Sequence, residues 1–541
     1  MRKLIWAALA VIAVIVEAPL LFSLQGDAQV HLAVAESFVK GRPFQYNPGD
    51  PLVMASTSPF WTILLIVLSH LFGNLTPIAV KAVSVLCWGS ASYLLWKVVT
   101  GIWQWSFGRR VLLLGLWLSN TTIILNALGG LENVLSAVQL LLVYFVCARG
   151  VASLSWQRSL GLGLLLGWTV LTRLDCGFFA SVCVCSVFVT GFLSASGPLR
   201  KTVLAQFAAV VLVSNLFILP WYLYQYSMTG SLVSVCALAR LYGGRRESWM
   251  ILKDGLYFHP KAVFTLVTVF LPLTLGAVLA LQAWGRRLFR ARGQLGQQLS
   301  LTYPTFAAAS IVAAGIFFYS FVVGAGHFGR YFLPIFPFFF ILGFQGIWVL
   351  GDRWSTKCQR LPACLSVCVA CYLTLGSGLD YYRRGVLREL YSPDLMFVVK
   401  DHRDRVGNTD RYLAKLGVPK TQHITIAVTE VQIRYYLDDR IKVVSLDGRT
   451  SGQILKYTDR SSGMPDFQRY LEDMRPDFVG LGDWCEGGGW MALARQEQLP
   501  PNLLCEWEQR AGSMKIGDSF DWNGNSVVYV ALGIMRIAWR Q

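Results

Sequence analysis

Residues 23–50 read SLQGDAQVHLAVAESFVKGRPFQYNPGD and follow an almost unbroken apolar run over 4–24. Asp27 comes only a few residues after that run. A carboxylate at a membrane exit is costly to desolvate, so it has a partner or a task. From Ala28 to Val39 the pattern predicts an amphipathic helix lying along the surface rather than crossing it. A span, an acid at its outer mouth and then a surface helix describe the mouth of a membrane-embedded active site. The alternative, a cleaved signal peptide, fits less well: the run is long for an apolar signal core, and further spans follow it.

Composition sets the class. Of 541 residues, 54% are hydrophobic and only 15% charged, with a mean hydropathy of +0.48. A soluble domain of this size does not have that balance, so the chain reads as a polytopic α-helical membrane protein. Residues 1–380 hold 26 Lys and Arg against 10 Asp and Glu, whereas 381–541 hold 22 against 21. Almost all of the +17 charge therefore sits in the apolar part, which argues for basic cytoplasmic loops and against a nucleic-acid partner. The 12 cysteines show no metal-ligand spacing. Those at 183, 185, 364, 368 and 371 lie in apolar runs, as packing residues do. Cys485 and Cys505 share a polar region, where a disulfide is open if that region is extracytoplasmic.

Apolar runs that span, or nearly span, fall at 4–24, 78–98, 110–127, 131–148, 159–173, 176–196, 202–224, 261–284, 303–323, 331–350 and 362–380. Placing the basic clusters around Arg2, Lys97–Arg110, Arg149–Arg158, Arg200, Arg286–Arg292 and Arg353–Arg360 in the cytoplasm orients every one of them consistently. The run 59–73 would invert the order if it crossed, so it reads as a juxtamembrane helix on the outer leaflet. About eleven spans result, with the N-terminus inside and the C-terminus outside. Of the ten acids in 1–380, eight then fall outside: Asp27, Glu36, Asp50, Glu132, Asp175, Glu247, Asp254 and Asp380. Asp27, Glu132 and Asp175 lie at very short turns beside apolar helix, where they can point into one cavity. Asp175 has Arg173 two positions away as a local partner, whereas Asp27 and Glu132 have no basic residue nearby.

After Asp380 the pattern changes to short strand-like runs at 423–428, 441–446, 477–482 and 526–532, with FQRYLEDMR as a helical stretch between them. Alternating strands and helices predict a small extracytoplasmic α/β domain over 381–541. No glycine-rich phosphate loop, HExxH, Ser-His-Asp set or CxxC motif appears, so soluble hydrolase or redox chemistry has no support.

The motifs in order resemble the GT-C glycosyltransferases, multi-spanning enzymes that take a sugar from a polyprenyl phosphate on the extracytoplasmic side. DAQVHLAVAESFVKGRPFQYNPGD followed by STSPFWTILL resembles their first outer loop. LGGLENVLSAV resembles the second acidic turn, LTRLDCGFFA the arginine turn, and HFGRYFLPIFPFF a motif near a late span. AVTEVQIRYYLDDRIKVVSLDG and RPDFVGL resemble the C-terminal strands. The likeness is nearest to the bacterial branch with arabinofuranosyltransferases. Protein O-mannosyltransferases and lipid A aminoarabinose transferases are more distant. There are departures: Gly26 stands where many members have a second acid, Leu174 where they have Pro, and Thr429-Glu430 where they often have a Gly-rich segment.

The resemblance implies a GT-C fold with juxtamembrane helices in 25–77, a transmembrane catalytic domain over 1–380, and residence in a bacterial inner membrane. It implies that Asp27 is the general base toward the acceptor hydroxyl, with Glu132 holding substrate hydroxyls or taking the base role itself. A carboxylate suits that work because the hydroxyl becomes acidic only in the transition state. Charge grows on the leaving phosphate and calls for cations, for which Arg330, Arg173, His327 and the pair Arg245/Arg246 are candidates. Arg330 is the first choice, at a span mouth without an acidic neighbour in sequence. Asp175, His31 and Tyr331 complete the implied substrate-binding set. A divalent metal stays open, since the missing second acid removes a ligand. The partners implied are a polyprenyl-phosphate sugar, membrane lipid, and a glycan, lipid or protein acceptor. The loop 226–260 reads as a cover over bound lipid or as a passive connector. Rival readings are a flippase or transporter, which calls for inverted repeats, a polymerase or ligase of lipid-linked sugars, and a non-enzymatic scaffold.

Overall fold

The computed structural model describes residues 24, 26–150, 155–234, 237, 249–250, 257–258, 260–290, 295–322, 328–354, 361–383, 419–428, 434, 438–445, 456–457, 467–474, 478–481, 519–522, 525–532 and 535–540. The apolar run 4–24 and the cysteines at 485 and 505 lie outside them. Helix α1 (Gly26–Val39) opens with Asp27 in its first turn, where the positive end of the helix favours a carboxylate. It does not lie on the surface with one wet face, as its pattern suggested. Ala28, His31, Leu32, Ala33, Val34 and Ala35 are all buried, so the helix is enclosed nearly all round. The cause is the segment after it. Tyr46 and Ala55 fold back onto Ala33 and Val34, while Leu32 and Ala35 pack on Trp61 and Leu65 of α2 (Pro59–Phe72).

Pro59 starts α2 at a position where a missing N–H costs nothing. Gly73, at φ 50°, ends it before a short 3₁₀ turn and α3 (Thr76–Gly101). The run Pro59–Gly101 is 43 residues long, roughly 65 Å as one rod against about 40–45 Å of bilayer, so it is longer than one crossing needs. The apolar run 110–127 is also divided. Asn120, in extended conformation, separates α4 (Phe107–Ser119) from α5 (Thr121–Ala127) at an angle of 62°. Its side chain accepts from the Ile123 N–H and donates to the Leu373 carbonyl, so the bend is hydrogen-bonded throughout.

Next come α6 (Asn133–Gly150), α7 (Trp156–Thr172), α8 (Leu174–Ser194) and α9 (Pro198–Thr229). They are followed by the strand pair β1 (Trp249–Met250) and β2 (Tyr257–Phe258), then α10 (Pro260–Val269), α11 (Leu271–Arg290), α12 (Leu295–Leu301) and α13 (Tyr303–Phe317). A short α14 (Phe328–Phe332) precedes α15 (Phe336–Trp354) and α16 (Leu361–Arg383). Among the described residues, four helical runs have the length and apolarity to cross a membrane, or five if the bent pair counts as one. The helices approach closely through glycines, as helices do where lipid offers no hydrophobic contrast. A Cβ on Gly346 of α15 would lie 1.7 Å from the Gly276 carbonyl of α11. Gly163 and Gly167 of α7 meet Val210 and Ser214 of α9 in the same way.

Beyond the helices, β3 (Ile424–Val428), β4 (Ile441–Ser445) and β5 (Phe478–Leu481) run parallel, with α17 (Phe467–Met474) between the last two in sequence. A parallel pair needs such a crossover. β6 (Ser519–Trp522), β7 (Asn525–Leu532) and β8 (Met535–Arg540) extend the sheet antiparallel, in the order β4-β3-β5-β8-β7-β6. The edge strand β4 is clasped by the first loop. Asn47 accepts from the Val443 N–H and donates to its carbonyl, both at 2.9 Å, as a neighbouring strand would. Asp50 pairs with Lys442 at 2.8 Å and accepts from Asn47. Just past α1, Arg42 (2.8 Å) and Lys40 (3.4 Å) meet Asp439, which also accepts from Arg434. Partial burial disfavours the Asp439 carboxylate, yet the bond from Arg434 and the charge of Lys40 outweigh it and hold the group below its usual range.

Candidate functional site

Two turns and two helix starts converge on one cavity. Glu132 follows the tight turn after α5, where Gly130 takes φ 81°. A Cβ there would lie 2.5 Å from Leu24, so only glycine lets the turn press against the start of the first loop. Arg173, in extended conformation, breaks the chain between α7 and α8 and brings Asp175 into the first turn of α8. Tyr319 comes from a π-turn at the end of α13, a distortion common at functional sites. Arg330 and Tyr331 sit on α14.

Arg173 is the hub. Its Nε and Nη2 donate to the two oxygens of Asp175 at 2.9 and 2.6 Å, a bidentate fork. Its Nη1 donates to Glu132 Oε1 at 3.2 Å and to Asn133 Oδ1. The Asp175 carboxylate also accepts from the Tyr319 hydroxyl and from the Cys176 N–H. Glu132 is 2% exposed, Arg173 6% and Asp175 9%. Charges this deep persist because each faces an opposite charge and a set of donors.

The second pair joins two distant parts of the chain. Arg330 Nη1 donates to Asp27 Oδ2, and the buried Arg330 Nε has no hydrogen-bond partner among the described residues. The Tyr331 ring lies 5.5 Å from the Arg173 guanidinium and 5.6 Å from that of Arg330, so one aromatic face system links both cations. His31, on α1, has its Nε2 3.7 Å from Glu132 Oε2 and its Nδ1 2.9 Å from Ser56 Oγ. Thr62 lies 2.8 Å from the same Ser56 oxygen. Burial, above all, lowers the pKa of His31 below 6.5, against the attraction of Glu132 and Asp27 and with the repulsion of Arg330 and Arg173.

The cavity encloses about 390 Å³. Ser56, Glu132, Arg173, Asp175, Tyr319 and Arg330 form its polar side, and Leu174, Leu232, Val233, Ala237 and Phe318 an apolar one. That arrangement suits an amphiphile with an anionic or hydroxyl-bearing head. It does not suit a divalent cation, because Asp27 is matched by Arg330, and Glu132 and Asp175 by Arg173. Among the described residues, no three His, Cys, Asp or Glu side chains form a metal-binding group.

The structure thus assembles Asp27, His31, Glu132, Arg173, Asp175, Arg330 and Tyr331 from the sequence candidates. His327, Arg245 and Arg246 lie outside the described residues. Arg330 lacks an acidic neighbour only along the sequence; in space it has Asp27. The residues not anticipated are Ser56, Thr62, Asn133 and Tyr319. Ser56 lies in the quoted STSPFW stretch, whereas Tyr319 in FFYSFVV carries no sequence signal at all.

No protein-family model and no curated protein matches the sequence. Solved structures do match in fold. ArnT from Cupriavidus metallidurans bound to undecaprenyl phosphate aligns over 100% of this chain and 97% of its own, at 14% identity and a TM-score of 0.52. The same protein in the apo state aligns over the same shares at 14% identity and 0.51. The Archaeoglobus fulgidus oligosaccharyltransferase aligns over 91% of this chain and 69% of its own, at 12% identity and 0.47. The chain is similar in fold to ArnT.

Proposed function

We propose that this chain is an integral-membrane glycosyltransferase of the GT-C type that moves a sugar from a polyprenyl phosphate to an acceptor hydroxyl outside the membrane. The observation that carries the reading is the Asp27–Arg330 ion pair at a half-apolar cavity, beside the buried Glu132–Arg173–Asp175 cluster. The fold shared with a protein captured with undecaprenyl phosphate supports the lipid class.

The apolar wall takes the first isoprene units, and Arg330 takes the phosphate through Nη1 and its free Nε. Arg173 is already occupied by two carboxylates, so it holds the frame rather than the phosphate. Phosphate binding draws Arg330 from Asp27 toward the donor. The acceptor oxygen then bonds to the anomeric carbon while the bond from that carbon to phosphate oxygen breaks. The proton passes to Asp27, the electron pair leaves with the phosphate, and Arg330 meets the charge that grows there. The configuration inverts.

The remaining assignments belong to the same reading. The N-terminus lies in the cytoplasm, the first helix is one of about eleven spans, and the α/β domain over 381–541 stands outside a bacterial inner membrane. Arabinofuranose is the sugar favoured by the motif likeness, with an envelope glycan, lipid or protein as acceptor.

The test is transfer of radiolabel from a panel of polyprenyl-phosphate sugars to membrane acceptors by wild type and Asp27→Asn. Label transfer by wild type alone, at equal expression, supports the reading. Full activity of the variant would move the base elsewhere, and no transfer from any donor by wild type would sink the transferase assignment.

A further inference from the structure

His31 belongs to no step of the reaction above, yet it is buried between a cavity-lining serine and a cavity-lining carboxylate. Its hydrogen-bond accounting has a definite answer. Nε2 faces Glu132 Oε2 at 3.7 Å. Arg173 Nη1 pairs with the other oxygen of Glu132, Oε1, at 3.2 Å. A bare lone pair on Nε2 would repel that carboxylate, so the proton belongs on Nε2. Nδ1 is then an acceptor, and Ser56 Oγ, at 2.9 Å, donates to it. Ser56 can do so because its oxygen takes the Ser58 N–H at 3.1 Å, with Thr62 2.8 Å away. The other oxygen, Glu132 Oε2, is buried, has no hydrogen-bond partner among the described residues, and belongs to a side chain that lines the cavity. A buried carboxylate oxygen without a hydrogen-bond partner, on a side chain that lines a cavity, calls for a group to complete it.

We infer that Glu132 Oε2 is the acceptor for a sugar-ring hydroxyl, and that His31 is the positioning residue that aims it, held as the Nε2–H tautomer by Ser56 and Thr62. The inference rests on the glycosyltransferase reading for the identity of the ligand, and on geometry alone for the tautomer. The 3.7 Å separation shortens to a hydrogen bond when the hydroxyl arrives, as catalytic contacts commonly tighten in the occupied site. A site built around one hydroxyl discriminates strongly against a donor that lacks it, because the buried oxygen is then left unpaired. This makes Glu132 and His31 specificity-determining for the sugar, apart from the proton transfer at Asp27.

The charged groups around His31 are set by the packing. Asp27 and Arg330 face His31 from α1 and α14. Glu132 and Arg173 face it from the turns before α6 and α8, and Cys176 lies within electrostatic reach of Glu132 from α8.

Two isosteres separate the roles of the ring nitrogens. His31→Gln keeps a donor near the place of Nε2, whereas His31→Asn keeps only a partner for Ser56. Kinetics with a donor accepted by wild type should show kcat/KM for His31→Asn lower by roughly tenfold to a hundredfold. His31→Gln should recover most of it. Equal loss in the two variants overturns the positioning role. In parallel, 15N NMR of histidine-labelled protein, assigned by difference against His31→Gln, should show the proton on Nε2 at neutral pH. A proton on Nδ1 overturns the inference whether or not any donor is turned over. If no donor is used while Nε2 carries the proton, the transferase reading has failed and the tautomer stands.

Discussion

Arg330 on the cavity wall is ion-paired with Asp27, 303 positions earlier in the chain. On the proposed function, the acid is therefore a competitor for the cation that a donor phosphate would need. Asp27→Asn should abolish transfer and at the same time tighten binding of unlabelled polyprenyl phosphate, by about tenfold, because the arginine no longer spends most of its time with the carboxylate. Equilibrium binding of the lipid phosphate to detergent-solubilised protein reads this directly. Weaker binding by the variant would mean that Arg330 is not the phosphate ligand.

Arg173 holds two carboxylates that have no other cation among the described residues within ion-pair distance. Arg173→Ala strands both in a buried site and should cost about 3–5 kcal/mol of stability. Arg173→Lys keeps the charge but not the bidentate fork onto Asp175, so it should fall between the two. Thermal unfolding in detergent ranks the three proteins, and a lysine variant as stable as wild type would show that charge alone suffices.

Acid should destabilise the fold through His31. Its pKa is lowered in the folded protein, from an ordinary 6.5, chiefly by burial. The unfolded chain therefore binds the proton first, and the stability present above pH 6.5 is lost as pH falls toward the folded value. Asp439, also lowered, adds a loss of the same sign below its ordinary 3.8. Unfolding midpoints measured from pH 7.5 to 4.5 should decline for wild type and stay flatter for His31→Gln. A wild-type profile with no slope through that window contradicts the buried neutral imidazole.

Asn47→Ala removes the side chain that satisfies both backbone groups of Val443. Two strand groups then lose their partner, at a cost of about 1–3 kcal/mol each where they stay dry. Hydrogen exchange at Val443 should accelerate while exchange in the helical core holds. Unchanged protection would mean that water or another group replaces the amide.

Much of this site could be read from residue order because its motifs are local. Arg173 and Asp175 are two positions apart and meet as their spacing suggested. The helices follow the apolar runs because a chain in lipid must satisfy its backbone within each segment. What sequence could not show is pairing between distant turns. Asp27 looked unpartnered only because Arg330 is far along the chain, and Glu132 because Arg173 is 41 positions away. Periodicity placed α1 on the surface, since it cannot register that residues 46 and 55 fold back over the other face. The strands β6 and β8 are not legible in the sequence, because Asp521 and the arginines at 536 and 540 interrupt their apolar pattern.

The position of α1 has a mechanical meaning. Fourteen residues of α-helix make a rod roughly 21 Å long. Asp27 is at one tip, and beyond the other Lys40 and Arg42 are anchored on Asp439 of the sheet. A short helix packed nearly all round does not absorb strain along its axis; it transmits it. A tug on the sheet therefore arrives at the acid as displacement of the whole lever, and the fit between Asp27 and its arginine becomes a gauge of what the distant sheet is holding.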